Sequence, residues 1–191
     1  ALTDLFATRL TTTPGLTDVD SNGVQNEALG LTEADVRTRN YGTTDRSIDF
    51  GFREALELTI GRNIWIDTNF DGFRRPNEPK LAGVSVALYT RNGTFIASTT
   101  SDAQGRYEFR SKRDSFRPFT DYSVVVYLSQ EPLIGFAPTF ANEGADDCVD
   151  SDGLTQNFGG FAALVTTVTT GDFGTSSLCN SFGLFDCIAT D

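Results

Sequence analysis

Leu58-Thr-Ile-Gly-Arg-Asn-Ile-Trp-Ile66 runs directly into Asp67-Thr-Asn-Phe-Asp-Gly-Phe-Arg-Arg-Pro-Asn-Glu78, and these adjoining stretches decide the fold. The first stretch alternates in hydrophobicity and carries β-branched and aromatic side chains, which predicts a strand. In the second, oxygen-bearing side chains stand at positions 1, 3, 5 and 12 and glycine stands at position 6. That is the spacing of a calcium loop.

The residue types suit a hard divalent cation, which prefers about six to eight oxygen ligands. Asp67, Asn69 and Asp71 can turn their side chains to one centre, Phe73 can offer its carbonyl, and Glu78 can close the shell with two oxygens. A solvated acidic turn is the alternative, since Asp, Asn and Gly favour turns without a metal. We expect Ca²⁺, because an ordinary turn does not require the glutamate at position 12.

The flanks distinguish this loop from a helical EF-hand, which needs an amphipathic helix on each side. A predicted strand precedes the loop. Pro76, Pro79 and Gly83 follow it, and then comes the strand-like stretch Val84-Ser-Val-Ala-Leu-Tyr89. Since two prolines and a glycine disfavour a following helix, we expect the loop to join β-elements.

The composition narrows the class of protein. The chain has 191 residues, with 15 basic and 26 acidic side chains, so neither a nucleic acid nor an anionic membrane is an expected partner. Its acidic residues form short clusters, which bound cations would explain. It has no histidine, the commonest general base, and no methionine, which indicates a processed chain.

The three cysteines indicate an oxidising, extracellular location and not a zinc site. One disulfide and one remaining thiol are expected. Cys179 and Cys187 could pair only across a turn, because an extended segment between them would separate them by roughly 26 Å. Cys148 could pair with either, and the spacing does not choose between them.

From residue 58 the pattern predicts β-structure. The connection Arg91-Asn-Gly-Thr94 predicts a hairpin with a two-residue turn of the primed type. Asn92 also begins an Asn-Gly-Thr glycosylation sequon, which a hairpin tip would expose. Short strands with Gly/Asp turns predict an all-β, antiparallel, immunoglobulin-like sandwich. The seven predicted strands span residues 58–66, 84–91, 94–100, 106–110, 121–128, 162–170 and 180–187.

Self-comparison predicts two domains. Asp18-Val-Asp-Ser-Asn-Gly23 is echoed by Cys148-Val-Asp-Ser-Asp-Gly153, and Asp49-Phe-Gly-Phe52 by Ser181-Phe-Gly-Leu-Phe185. Residues 1–55 are therefore predicted to be the back half of a preceding module or an assembly arm, and residues 56–191 a complete module. A short helix is expected over 26–37. Asp18, Asp20 and Asn22 form either a partial calcium site or an Asx-rich turn.

Together these motifs resemble the B-type repeats of serine–aspartate-repeat bacterial surface adhesins, a group similar to the collagen-adhesin B-type modules. The resemblance implies a prealbumin-like sandwich that binds calcium and forms a stiff stalk segment. Asp67, Asn69, Asp71 and Glu78 match the main calcium loop of that family, and Asp150 and Asp152 match residues of its further calcium sites. The resemblance rests on residues 64–73, 78–79, 81–89, 92–94, 101–109, 150–153 and 182–185.

Three classes of function follow, in decreasing order of support. The first is a structural, calcium-stiffened repeat of an extracellular or cell-surface filament, whose partners are copies of itself. The second is an adhesin module that recognises a protein or glycan, for which Phe116-Arg-Pro-Phe119 and Phe158-Gly-Gly-Phe161 are candidate surfaces, although both favour the core. An enzyme is not expected, because the clustered carboxylates suit a metal better than glycoside chemistry.

Overall fold

A computed structural model describes the chain over residues 56–146 and 148–187, residue 50, and four short strands near the amino terminus. The chain divides into two compact units, Ala1–Leu56 and Glu57–Asp191. No helix in the described part is long and apolar enough to span a membrane.

The first unit contains two antiparallel pairs. Strand β1 (Leu5–Ala7) pairs with β4 (Phe52–Glu54), and β2 (Val24–Asn26) pairs with β3 (Leu31–Glu33). The helix predicted over 26–37 is wrong where the chain is described, because residues 31–33 form a strand. Pairing with a neighbouring strand overrode a weak local helix preference. Asp18, Asp20 and Asn22 lie outside the described residues.

The second unit is built from ten strands, a short helix α1 (Ser111–Asp114) and a 3-10 turn (Glu131–Leu133). The strands are β5 (Thr59–Ile66), β6 (Ser85–Thr90), β7 (Phe95–Thr100), β8 (Arg106–Arg110), β9 (Asp121–Tyr127), β10 (Phe136–Pro138), β11 (Leu154–Phe158), β12 (Phe161–Thr169), β13 (Ser176–Ser177) and β14 (Phe182–Asp186).

These strands form two five-stranded sheets. One is antiparallel throughout, in the order β11-β12-β9-β6-β7. In the other, β5 lies at the centre and pairs antiparallel with β8 but parallel with β13 and β14. The parallel pairs arise because the chain crosses the whole sandwich between β5 and β13, and so it can return in the same direction.

The core lies between the sheets. Alternation along β5 turns Ile60 and Ile64 inward, where they meet Phe109, Val124 and Phe182, all five with no measurable exposure. Burying each such side chain stabilises the fold by about 1.5–3 kcal/mol. The predicted all-β, immunoglobulin-like sandwich is confirmed, and so are all seven predicted strands.

Three strands of the second unit were not predicted. Phe136–Pro138 and Ser176–Ser177 are too short to show a period, and Leu154–Phe158 carries polar side chains at three of its five positions. These three strands form because neighbouring strands pair with them, and their local sequence pattern does not predict them.

The hairpin between β6 and β7 is present, but its predicted turn type is wrong. Gly93 N–H donates to the Thr90 carbonyl at 2.9 Å, and Thr90 N–H donates to the Thr94 carbonyl at 2.8 Å. Of Asn92 and Gly93, only Gly93 has a positive φ, 81°. A primed turn of the expected Asn-Gly kind needs a positive φ at both residues, whereas this longer loop needs it only at the glycine.

Candidate metal centre

The loop 67–78 follows directly from β5 and folds around the first carboxylate. Asp67 is 1% exposed. Its carboxylate accepts hydrogen bonds from the N–H groups of Asn69 and Asp71, at 3.3 Å each, and from that of Gly72 at 2.8 Å. The Thr139 hydroxyl donates to the same carboxylate. Gly72 has φ of 77°, so the sharp bend predicted at position 6 is present.

Glu78 closes the loop. It is 4% exposed, and its two oxygens accept from Thr68 N–H at 3.3 Å and from Arg75 N–H at 2.7 Å. The glutamate at position 12 therefore ties the end of the loop to its beginning, which a turn built only from Asp, Asn and Gly would not do.

Asn69 and Asp71 form the outer side of the loop. The Asn69 amide donates to Asp71 at 2.8 Å, and Arg75 forms an ion pair with the same carboxylate. Asp71 also accepts from Phe73 N–H at 2.9 Å. The hydrogen bond from Arg75 is the largest of the effects that lower the pKa of Asp71. The positive charge of Arg75 therefore already pairs with Asp71, a predicted calcium ligand. The spacing of oxygen-bearing residues in the sequence did not predict this ion pair.

The loop is paired with the segment that contains Asp150 and Asp152. Arg74 N–H donates to the Val149 carbonyl at 2.6 Å, and Ser151 N–H donates to the Gly72 carbonyl at 3.2 Å. Phe73 and Asp150 face each other in this antiparallel bridge. The structure therefore brings together two segments, about eighty positions apart, that sequence analysis singled out separately.

Asp150 and Asp152 are both buried, at 3% and 6% exposure. Asp152 N–H donates to the Ser181 carbonyl at 2.8 Å, and Ser181 N–H donates back to the Asp152 carboxylate. Tyr107 lies nearby and donates its hydroxyl to the Asn180 carbonyl. Burial raises the pKa of Tyr107 well above its usual value, and the charge of Asp152 raises it further.

A disulfide joins Cys148 to Cys179, with 4.3 Å between their Cα atoms. Cys187 is a free, exposed thiol. The bond fastens the segment before Asp150 to the approach to β14. Of the pairings left open by the sequence, the fold selects the one that closes a connection of 31 residues.

The donor set of this region consists of carboxylate, amide and carbonyl oxygens, which is the chemistry that calcium prefers. In the arrangement described, the carboxylates of Asp67, Asp71 and Glu78 accept hydrogen bonds from backbone N–H groups and from the side chains of Thr139, Asn69 and Arg75. Within residues 56–146 and 148–187, no three His, Cys, Asp or Glu side chains are grouped so as to hold a metal ion. The residues fit Ca²⁺ by type, and binding would require carboxylates to turn from their present partners to a shared centre.

Two polar residues of turns lie outside this region. Asn92 is exposed at the hairpin tip, which leaves its sequon accessible. Asp102 acts as a turn cap, because its carboxylate accepts from Gln104 N–H at 2.9 Å and from Arg106 N–H at 2.8 Å.

Comparison with known proteins agrees with this architecture. The family model described as the SdrD B-like domain matches residues 58–177, more than half of the chain. The chain belongs to the SdrD B-like domain family. Its matched span begins one residue before β5 and includes both the calcium-type loop and the Asp150–Asp152 segment.

Two staphylococcal serine-aspartate repeat-containing proteins are similar to this SdrD B-like domain. Serine-aspartate repeat-containing protein E of Staphylococcus aureus is 32% identical over 152 residues, which are 80% of this chain and 12% of that protein. Serine-aspartate repeat-containing protein F of Staphylococcus epidermidis is 35% identical over 136 residues, 71% of this chain and 7% of that protein. The chain thus spans a small part of the length of these relatives.

A solved structure of the Bacillus anthracis TIE protein aligns with 73% of this chain and 22% of its own, at 10% identity and a TM-score of 0.40. The family and its staphylococcal members assign this SdrD B-like domain to the extracellular, cell-surface class.

Proposed function

We propose that this chain is a calcium-stiffened structural module of an extracellular fibre, stalk or surface filament, and that its copies assemble head to tail. The observation that supports the proposal is the burial of four carboxylates on two paired segments. The four buried residues are Asp67, Glu78, Asp150 and Asp152.

Buried ionised carboxylates are costly to maintain, and a bound cation compensates that cost. When bound, Ca²⁺ would supply positive charge at the centre of the loop. Asp67, Asn69, Asp71 and Glu78 would hold it through side-chain oxygens, and Phe73 through its carbonyl. Asp150 and Asp152 would serve this centre or one adjoining it.

Stiffening would follow from the position of the loop. It extends from the central strand β5, pairs with residues 149–151, and is linked through the disulfide to the approach to β14. A cation held by both segments would oppose their separation. The module would then bend less at this end under load, which is what a stalk or filament requires.

The test for calcium is thermal unfolding of the full chain in Ca²⁺ and in a chelator. We expect a higher Tm in Ca²⁺, because a ligand that binds only the folded state stabilises it by mass action. Asp71→Asn should remove most of that difference. Arg75→Ala should increase calcium affinity, since it removes the cation that pairs with Asp71.

Asp102→Asn is the matched control, because Asp102 is also a turn carboxylate bonded to backbone N–H groups but lies in a separate turn. Its variant should keep the full calcium effect. Equal Tm values in Ca²⁺ and chelator for the unchanged protein would refute the calcium site.

Head-to-tail assembly is tested by comparing the full chain with residues 56–191 in Ca²⁺, using light scattering and electron microscopy. The second unit has its own core, so it should fold alone and form no filaments at concentrations where the full chain forms them. A full chain that forms no filaments up to its solubility limit would overturn assembly through residues 1–55 without affecting the calcium proposal.

A further inference from the structure

Among the described strands, β11 lies at one edge of the antiparallel sheet. In the order of that sheet it has one neighbour, β12, and its ladder with β12 runs through five successive residue pairs. Leu154, Thr155, Gln156 and Asn157 are all exposed. An edge strand presents unpaired N–H and C=O groups to another strand unless lysine, proline or a bulge blocks it. β11 has none of these features.

The opposite edge of the same sheet is different. There β7 pairs with β6 through an irregular register, with a shift between Leu88 and Tyr89. Such an irregularity twists a strand and makes it a poorer template. The two edges therefore provide a comparison within one sheet, in which only β11 offers a regular ladder.

The charge pattern permits pairing at β11. The protein has a net charge of −11, so two copies repel each other over most of their surfaces. Residues 153–171, which include β11 and β12, contain no charged side chain, so two acidic copies can meet there with little local repulsion. Residues 92–101, which include β7, are also uncharged, so the regular ladder and not charge distinguishes the two edges.

The outer face beside the edge is apolar. Val125, Ala163 and Val165 are buried there beneath Tyr89, Tyr127 and Phe158. Leu154, which stands opposite Val165 in the ladder, is 56% exposed. Phe161, at the end of the same hairpin, is 61% exposed. This apolar patch ends at β11. A strand that pairs with β11 would therefore cover the exposed margin of the patch.

We infer that β11 is a docking edge for a second copy of this chain, and that the two β11 strands pair antiparallel about Gln156. In this register Leu154 stands opposite Phe158 of the other copy, and Thr155 stands opposite its Asn157. Apolar side chains then face apolar ones, and polar ones face polar ones. Because the same strand serves both sides, the contact is two-fold symmetric and closes as a dimer.

This contact differs from the proposed head-to-tail assembly, which runs through residues 1–55. Pairing through β11 joins modules side by side and makes one ten-stranded sheet from two five-stranded ones. In a filament it would join neighbouring fibres laterally. Its test must therefore report on β11 itself and not on overall size.

Hydrogen–deuterium exchange of the full chain, measured over a range of protein concentrations, provides that local report. We expect the amides of 154–158 to become protected as concentration rises, while those of β7 do not change. Gln156→Lys and Gln156→Glu each place two like charges opposite one another at the centre of the contact. Each should raise the concentration that gives half protection by roughly fivefold or more.

An equimolar mixture of the two variants should restore protection, because Lys and Glu then face each other across the two-fold position. Ser98→Lys is the control, since Ser98 is an exposed residue of the other edge strand; it should leave β11 protection unchanged. Exchange of 154–158 that is independent of concentration would overturn the proposal. So would protection that survives Gln156→Lys, or a mixture no better than either variant alone.

Discussion

The loop 67–78 and the hairpin tip 91–94 are built from the same local chemistry and have different surroundings. Each bends at an Asx-Gly pair, and the two glycines have nearly equal φ, 77° for Gly72 and 81° for Gly93. A Cβ added to Gly72 would lie 3.0 Å from the Phe140 carbonyl oxygen and 3.0 Å from Glu143 Cγ. A Cβ added to Gly93 would meet nothing within 4 Å.

The polar side chains show the same contrast. Asp67 is buried and accepts from three backbone N–H groups and a hydroxyl, whereas Asn92 is exposed to solvent. An Asx-Gly pair in the sequence therefore predicts the conformation of the backbone. How much the turn contributes to the free energy of unfolding depends on the surrounding fold. Buried polar groups depend on their partners far more than solvated ones do, since water can replace a lost partner only at the surface.

The largest difference between the two regions should come from the buried carboxylate. We expect Asp67→Ala to reduce the free energy of unfolding by about 3 kcal/mol, because it leaves the Gly72 N–H and the Thr139 hydroxyl without their acceptor. Asn92→Ala should change it by less than about 0.5 kcal/mol. Urea unfolding in a chelator measures both values without any contribution from a metal.

Asp67→Asn is the matched control, since it retains one side-chain oxygen in nearly the same position and should be less destabilising than alanine. If Asp67→Ala and Asn92→Ala have equal effects, the burial of the loop does not matter for stability, and the contrast fails.

Next in size is Gly72→Ala. It adds a Cβ at a positive φ, which costs on the order of 1 kcal/mol, and that Cβ crowds the Phe140 backbone oxygen. We expect a loss of about 2 kcal/mol. Combining it with Glu143→Ala separates the two contacts, because the Glu143 side chain can move away and the Phe140 backbone cannot. The double variant should recover little of the loss.

The smaller of the two glycine effects is expected for Gly93→Ala, about 1 kcal/mol, which arises from backbone strain alone. Gly93→Asn should be milder, because asparagine tolerates a positive φ better than alanine does. A loss for Gly93→Ala as large as that for Gly72→Ala would mean that the open surroundings of the tip do not lower the cost. That result would remove the distinction between the two turns.

Much of this protein could be predicted from the order of its residues. Alternation of β-branched and aromatic side chains predicted seven strands, because a strand turns successive side chains to opposite faces. Spacing also predicted the loop after β5 and its closing glutamate, since hydrogen bonds within a short loop join residues that are close in sequence. The hairpin between β6 and β7 was predicted for the same reason.

Only the tertiary structure decided the features that join distant segments. It paired Cys148 with Cys179, set Asp150 opposite Phe73, buried Asp67 beneath Thr139, and placed β11 last in the order of its sheet among the described strands. Local pattern specifies backbone conformation and which face of a strand is apolar. Which segments meet, and hence which carboxylates lose their water, depends on how the two sheets pack, and no short stretch of sequence contains that information.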